Sequence, residues 1–333
     1  MTCRRHATPA LVALCLLFIL SSARSQEGSF KGSATENKTK IPRVGLILPG
    51  SARPAEFFRR GMADVGYVDG KNVAIEVRAA ESKYERFPEL FAEMVGLKVD
   101  VLVVQGAVTA RPAKKLVTTI PMVFAVIVDP VVEEVVSNME HPGGNMTGVT
   151  TFDPQQSRKQ IELLKEIIPG VARVAVLADR GVRDSTMNAT EEAARAMGIK
   201  TQALWINPAN PDFEGAFAEA AKAKSDAMIV LEEPLLGLNA KTIAELAVKS
   251  RMPTLVPPSS GDAGGFVAYG VSIREGYRLA AGLVDKILKG ANPGDTPVEI
   301  AKRYELVVNA KTAQAIGVTV PSEVLERADR IIQ

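Results

Sequence analysis

Short apolar runs alternate with segments of helical periodicity along most of this chain. In the clearest example, Val99–Pro130, the apolar run Val99–Val104 is followed by a segment able to form a helix and then by a second apolar run, Met122–Val128. Runs of β-branched residues without polar alternation are typical of parallel strands that are buried on both faces. The pattern therefore predicts a βαβ unit with a right-handed connection.

This alternation occurs twice, first between residues 43 and 152 and again between residues 156 and 269. A chain of 333 residues is long enough for two domains. The remaining segments must return to one half or the other, and several crossings between two halves form a hinge with a cleft. Among the further elements, we predict a short helix over Glu133–Met139, a long helix over Arg274–Leu288, a strand over Tyr304–Asn309 and a last helix over Pro321–Ile332.

The first 25 residues have the features of a secretory signal. Arg4 and Arg5 provide a basic start, and the apolar core Leu11–Leu20 is too short to span a bilayer unaided. We expect cleavage after Ser25 and a periplasmic location, with a retained membrane anchor as the alternative. The expected organisation is a signal peptide over 1–25, a disordered tether over 26–40, an N-terminal lobe from 41–150 plus about 270–297, and a C-terminal lobe from 151–269 plus about 298–333.

Composition narrows the function classes. The net charge is only +2, charged residues are interspersed, and the chain has one Trp and five Tyr, so neither a basic nucleic-acid footprint nor a stacking surface is indicated. The two cysteines, Cys3 and Cys15, both lie in the predicted signal. The mature chain would therefore have no disulfide and no thiolate ligand for a metal. We expect no metal and no cofactor.

The residues give little support to an enzyme. His141 is the only histidine outside the predicted signal, and the sequence contains neither a Gly-x-Ser-x-Gly elbow nor a Gly-x-Gly-x-x-Gly or phosphate loop. The pair Glu232-Glu233 could suggest two catalytic carboxylates, but adjacent residues of a strand point to opposite faces. We therefore predict a protein without catalytic residues.

Polar residues follow the predicted strands, where open parallel sheets bind their ligands. Carboxylates, hydroxyls and amides in these loops would suit a zwitterion. Each also has a structural alternative: Asp129 could cap a turn, Ser185 a helix, and Asn145 could close its turn. The candidate ligand-binding residues are Ser51, Gln105, Gly106, Asp129, Asn145, Thr147, Ser185, Glu232 and Ser259.

Several segments resemble one bacterial family, the substrate-binding proteins of ABC transporters, some of whose members are associated with tryptophan or tyrosine. The resemblance extends from about Ile41 to Ile332. It rests on Gly66–Asn72 (GYVDGKN), Ile120–Phe124 (IPMVF) with Asp129-Pro130, Pro142–Gly148 (PGGNMTG), Tyr269-Gly270, Ile287–Gly290 (ILKG), Tyr304–Asn309 (YELVVN) and Ala328-Asp329.

The resemblance implies a type I periplasmic binding fold: an α/β protein of two Rossmann-like lobes with parallel sheets, joined by a three-strand hinge. It implies that Gln105 and Asp129 line the cleft from the first lobe, and Ser185, Glu232 and Ser259 from the second. The chain departs from relatives that bind aromatic amino acids after the first strand of the second lobe, where it has Asp179–Asp184 (DRGVRD). Two arginines there could favour a carboxylate-bearing ligand or could be solvated loop charges.

We therefore expect the solute-binding component of an ABC importer, a monomer that captures a small polar metabolite and delivers it to a permease in the inner membrane. The alternative is a ligand-sensing periplasmic module that signals to a membrane partner. An enzyme on a similar sheet would depend on carboxylates and hydroxyls alone. A cytoplasmic repressor is disfavoured, since a signal stands where a helix-turn-helix would begin.

Overall fold

The computed structural model describes residues 41–151, 153–182 and 185–333, with only the backbone of Ser185. The strands are β1 Arg43–Leu48, β2 Ala74–Ala79, β3 Val101–Gln105, β4 Met122–Ile127, β5 Met146–Thr150, β6 Arg173–Asp179, β7 Lys200–Ile206, β8 Ala227–Val230, β9 Thr254–Val256, β10 Val267–Val271, β11 Glu299–Ile300, β12 Tyr304–Asn309 and β13 Arg330–Ile332. The α-helices are α1 Ala55–Asp64, α2 Phe87–Gly96, α3 Gly106–Leu116, α4 Gln156–Ile167, α5 Ser185–Ala196, α6 Phe213–Lys222, α7 Pro234–Leu238, α8 Ala240–Lys249, α9 Ile273–Leu288, α10 Ala310–Ile316 and α11 Ser322–Glu326.

The first sheet has the order β11-β5-β4-β3-β1-β2, and its strands are parallel. Successive residues of a strand enter opposite cores: Leu46 and Leu48 pack with α1 and α9, whereas Ile47 packs with α2 and α3. Both faces are thus covered by helices, which explains why the strands contain apolar residues at consecutive positions.

The second sheet repeats this plan with the order β13-β12-β10-β9-β8-β6-β7. Its pairs are parallel except that β10 and β12 are antiparallel, with Val267 opposite Val308. Helices α4, α5 and α10 contribute to the core on one face, and α6, α7 and α8 to the core on the other.

Three segments connect the two sheets: β5 to α4, β10 to α9, and β11 to β12. They are tied together, since Ser272 N donates to Arg303 O at 2.8 Å and the Tyr304 hydroxyl donates to Asp153 Oδ2 at 2.5 Å. Helix α9 crosses back and packs on α1 and β4, so it belongs to the first lobe. The predicted α/β fold of two Rossmann-like lobes is confirmed.

Some predicted elements differ from the structure. The predicted helix Glu133–Met139 is a series of turns and bends, because Asp129 Oδ1 accepts from the backbone N–H groups of Val131 and Val132 and bends the chain. The predicted last helix Pro321–Ile332 was wrong beyond Glu326: Asp329 exchanges hydrogen bonds with Leu306 of β12 and directs the following residues into β13. Strand β11 pairs with β5, close to the lobe boundary expected at about residue 297.

Candidate functional site

A cavity lies between the two sheets, at the carboxyl ends of strands from both. Its volume is about 170 Å³, which is room for roughly ten water molecules or a small organic ligand. The lobes meet at its edge: a Cβ atom added at Gly50 would lie 3.2 Å from the carbonyl oxygen of Pro234. Apolar and charged side chains both line it, among them Phe57, Val108, Val126, Leu238 and Ile273, and Arg53, Glu133, Glu232, Glu233, Asp262, Arg274 and Glu305.

The first lobe contributes the loops after β1 and β3. Ser51 follows β1, and Gln105-Gly106 joins β3 to α3. Gly106 has a φ of +71°, the left-handed conformation that glycine adopts without strain. The Gln105 side-chain oxygen accepts a hydrogen bond of 2.8 Å from the hydroxyl of Tyr277, a fully buried residue of α9. Burial, with the nearby charge of Glu232, raises the pKa of Tyr277 well above its ordinary value, so this tyrosine remains a neutral donor that fixes Gln105.

Val126 forms part of the wall in a strained backbone conformation. The register between β4 and β5 shifts between Phe124 and Ile127, and Val126 within this irregular segment has a φ of +57°. A β-branched residue is rarely found in this region, and such outliers concentrate at binding sites. The shift lets Val126 contribute to the cavity although it lies inside a parallel strand.

The second lobe contributes a carboxylate held by a hydroxyl. The Ser259 hydroxyl contacts both carboxylate oxygens of Glu232, at 2.8 and 3.1 Å. Water in the cleft reaches Glu232, yet protein groups from both lobes surround it, and this desolvation raises its pKa to about 7 against the opposing effect of Ser259. Glu232 can thus change its charge near neutral pH.

Charged groups also face each other across the cleft mouth. Asp262 lies in a 3₁₀ helix, Pro258–Ala263, of the second lobe. One of its oxygens, Oδ2, lies 3.8 Å from a guanidinium nitrogen of Arg53 and 3.8 Å from one of Arg274, both in the first lobe. The other oxygen is 2.6 Å from Arg330 of its own lobe.

A hydrogen bond between the lobes joins Tyr84 to Asp179. The Tyr84 hydroxyl donates to Asp179 Oδ2 at 2.9 Å, and the other oxygen of Asp179 accepts from Gly181 N at 2.8 Å. Burial raises the pKa of Asp179, while these two donors lower it in part. Glu233 accepts from the backbone N–H of Asp179 and so fixes the end of β6.

Five of the nine candidate residues line the cavity: Ser51, Gln105, Gly106, Glu232 and Ser259. The structure places three others outside this lining. Asp129 caps its turn. Asn145 lies at the amino end of β5, where its amide donates to Val117 O and Ile120 O, and Thr147 is fully buried and donates to Thr296 O at 2.7 Å.

Ser185 begins α5, but its side chain lies outside the described part of the structure; its neighbour Thr186 lines the cavity. The loop arginines noted in the sequence are not the arginines of the cavity. Arg180 is exposed outside the lining, and Arg183 lies outside the described residues.

The sequence did not identify Arg53, Asp262, Arg274 or Glu305, which all line the cavity. Arg53 lies two residues after the candidate Ser51, and Asp262 three residues after Ser259, so a wider search around each strand end would have included both. Arg274 and Glu305 follow two of the crossings between the lobes, and their position depends on tertiary structure.

Over the described ranges 41–151, 153–182 and 185–333, no group of three His, Cys, Asp or Glu residues is placed to hold a metal ion. None of the helices in that part of the chain is both long and apolar enough to cross a membrane.

Comparison with known proteins identifies the family. Residues 49–332 match the family model described as ABC transporter substrate binding protein. A curated relative from Clostridioides difficile, named tyrosine-binding protein, is 23% identical over 310 residues, which cover 90% of this chain and 88% of the relative.

Two solved structures are similar in fold. A conserved domain protein from Vibrio cholerae has a TM-score of 0.81 at 28% identity, covering 88% of this chain and 100% of that one. The ABC domain from Streptococcus pneumoniae in complex with L-Trp has a TM-score of 0.78 at 23% identity, covering 87% and 99%. The fold is that of type I periplasmic binding proteins. With the family model matched over most of its length, the chain belongs to the ABC transporter substrate binding protein family.

Proposed function

We propose that this protein is the extracytoplasmic solute-binding component of an ABC importer and that it captures an amino acid or another carboxylate-bearing metabolite. The observation that carries this proposal is the cavity between the sheets, whose lining has Arg53 and Arg274 at the mouth, Glu232 in the second lobe and apolar side chains besides. Such a lining suits a zwitterion with an apolar part. The family supports a solute-binding role. The relative named for tyrosine and the similar structure in complex with L-Trp support the same ligand class.

Binding would work through the hinge. A ligand that touches both lobes stabilises the closed arrangement by its differential affinity for it, and release follows when the lobes separate. We also propose that the protein acts as a monomer and works with an inner-membrane permease. The signal expected over residues 1–25 would deliver it to the periplasm.

The test is thermal unfolding of the protein from Gln26 onward with a panel of amino acids and carboxylic acids, beginning with L-tyrosine and L-tryptophan. A ligand at a hundred times its Kd should stabilise the folded state by about 2.7 kcal/mol and raise the melting temperature. Gly237 lines the cavity, and a Cβ atom there meets nothing within 4 Å, so Gly237→Trp should abolish this stabilisation by filling the cleft.

The matched control is Gly170→Trp, at an equally open position in a turn outside the cavity, which should keep the ligand effect. The proposal fails if no panel member stabilises the native protein. The importer role is tested by uptake of the labelled ligand in cells with and without this gene. Unchanged uptake in its absence would favour the sensing module instead.

A further inference from the structure

Two guanidinium groups at the cleft mouth have hydrogen-bonding capacity to spare. Arg53 precedes α1 and Arg274 lies in the first turn of α9, and both line the cavity. Within the described residues, their contacts with charged or aromatic groups are the pairs with Asp262 and, for Arg274, the ring of Phe57 at 5.2 Å. A separation of 3.8 Å is too long for a hydrogen bond. The donors of both groups therefore remain available to an anion.

Asp262 does not neutralise this pair of cations. Its oxygen Oδ1 lies 2.6 Å from Arg330, so the single charge of Asp262 is shared among three guanidinium groups. Two like charges that both approach one oxygen also repel each other. A second anion between Arg53 and Arg274 would relieve this repulsion.

Three other acidic side chains of the cleft have partners of their own. Glu133 pairs with Arg111, and Glu305 accepts from Ser272 at 2.5 Å. Glu232 is bound by Ser259, which lies three residues before Asp262 in the same 3₁₀ helix. Side chains three apart in such a helix point the same way, and one turn rises by about 6 Å. The protein groups that would hold a carboxylate and an ammonium are therefore about one turn apart, with room between them for both groups of one ligand.

We propose that Arg53 and Arg274 are specificity-determining residues that clamp the carboxylate of the ligand, and that Asp262 is a weaker internal anion that the ligand carboxylate outcompetes. This inference rests on the proposed function and adds that the site selects the carboxylate group of the ligand. Arginine suits the role because its planar fork donates two parallel hydrogen bonds to a carboxylate. The clamp lies on the first lobe and Glu232 on the second, so a ligand held by both would draw the lobes together.

A purely structural role for the arginines predicts different effects of substitutions on binding. If they served only to hold the lobes together through Asp262, removal of Asp262 would weaken binding of every ligand as much as removal of the arginines. The Arg53 and Arg274 side chains are 62% and 52% exposed, and ion pairs of this exposure stabilise little. If the arginines clamp a carboxylate, Asp262→Asn removes a competitor and leaves an amide oxygen for Arg330.

The experiment is isothermal titration of the native protein and its variants with matched ligands that differ by the carboxylate. The first pair is L-tyrosine and tyramine. If L-tyrosine does not bind, the pair is the panel amino acid that stabilises the native protein most and the amine formed by its decarboxylation. The native protein should prefer the amino acid by at least about tenfold. Arg53→Gln and Arg274→Gln should each weaken amino-acid binding by about 10- to 100-fold and leave amine binding within about twofold, because the lost hydrogen bonds are to a charged group.

Arg278→Gln is the matched control, since Arg278 lies one turn further along α9, outside the cavity lining, and bonds to Glu275. It should bind as the native protein does, and all variants should keep the native melting temperature because the substituted side chains are exposed. Asp262→Asn should bind the amino acid as tightly as the native protein or a few-fold more tightly.

The proposed clamp is contradicted, while the solute-binding function stands, if the arginine variants lose affinity for the amine and the amino acid equally. It is also contradicted if Asp262→Asn weakens binding as much as the arginine variants do. If the native protein bound no member of the panel, the proposed solute-binding function itself would be contradicted.

Discussion

Glu232 is a cleft side chain whose charge depends strongly on its surroundings. The surrounding protein raises its pKa to about 7, and the Ser259 hydroxyl opposes this by bonding to both carboxylate oxygens. A ligand ammonium would interact with the ionised carboxylate only. In the proposed function, Glu232 would therefore couple ligand capture to pH in the range where it titrates.

We predict that binding of L-tyrosine, or of the amino acid that replaces it, strengthens as pH rises. The ionised fraction of a group with this pKa grows about tenfold from pH 6 to pH 8, so the association constant should grow about tenfold as well. Titration calorimetry at both values measures this, and Glu232→Gln should bind weakly and without pH dependence. His141 lies outside the cavity lining, so His141→Gln should keep the dependence. A flat profile in the native protein would contradict the role given to Glu232.

At the scale of elements, α9 links the hinge to the cavity wall. It begins directly after a crossing segment with Arg274 at the cleft mouth, places Tyr277 against Gln105 and packs on β4 and α1. The close approach to β4 is possible because residue 276 is glycine: a Cβ atom there would lie 2.9 Å from Cγ2 of Val126. The strained wall residue is thus supported from behind by this helix.

Gly276→Ala should lower the free energy of unfolding by about 1–3 kcal/mol, because the added methyl group overpacks the contact with Val126. Gly282→Ala in the same helix, where an added Cβ meets nothing within 4 Å, should leave stability unchanged or raise it by up to about 1 kcal/mol. Urea unfolding of both variants gives the comparison. Equal stability of the two variants would mean that the helix and β4 are not in the close contact described.

At the scale of the whole molecule, contacts between the lobes border the cavity. Tyr84 bonds to Asp179, Gly50 approaches Pro234, and Arg53 faces Asp262. The lobes are connected by three segments only, so separating them breaks these contacts without disturbing either core. The two lobes are therefore in contact around a cavity whose mouth is open to water.

A disulfide across the cleft should trap this arrangement. A Cβ atom at Gly50 would lie 3.6 Å from Cβ of Pro234, within the range of a disulfide. With Cys3 and Cys15 replaced by Ser, Gly50→Cys combined with Pro234→Cys should lose its free thiols on mild oxidation and should release bound ligand more slowly. Gly96→Cys combined with Pro234→Cys is the control, because a Cβ at Gly96 meets nothing within 4 Å, and its thiols should stay free. Equal thiol loss in both would contradict the close approach of Gly50 to Pro234.

The sequence by itself determined the architecture and part of the site. Buried parallel strands require consecutive apolar residues, and helices alternating with such strands require two layers around each sheet, so the pattern predicted two α/β lobes with a cleft. Polar residues directly after strands β1, β3 and β8 could be located in the same way, and Ser51, Gln105, Gly106 and Glu232 do line the cavity. The signal for these residues is local in the chain.

Only the tertiary structure decided which strand ends face each other and which charges meet there. Asn145 precedes β5 and Thr147 lies near its amino end, and both bond within the first lobe and away from the cavity. Arg53 lies far from Asp262 and Arg274 in sequence, and the three converge because the chain crosses three times between the sheets. Such convergence depends on how the lobes pack, which residue periodicity does not encode.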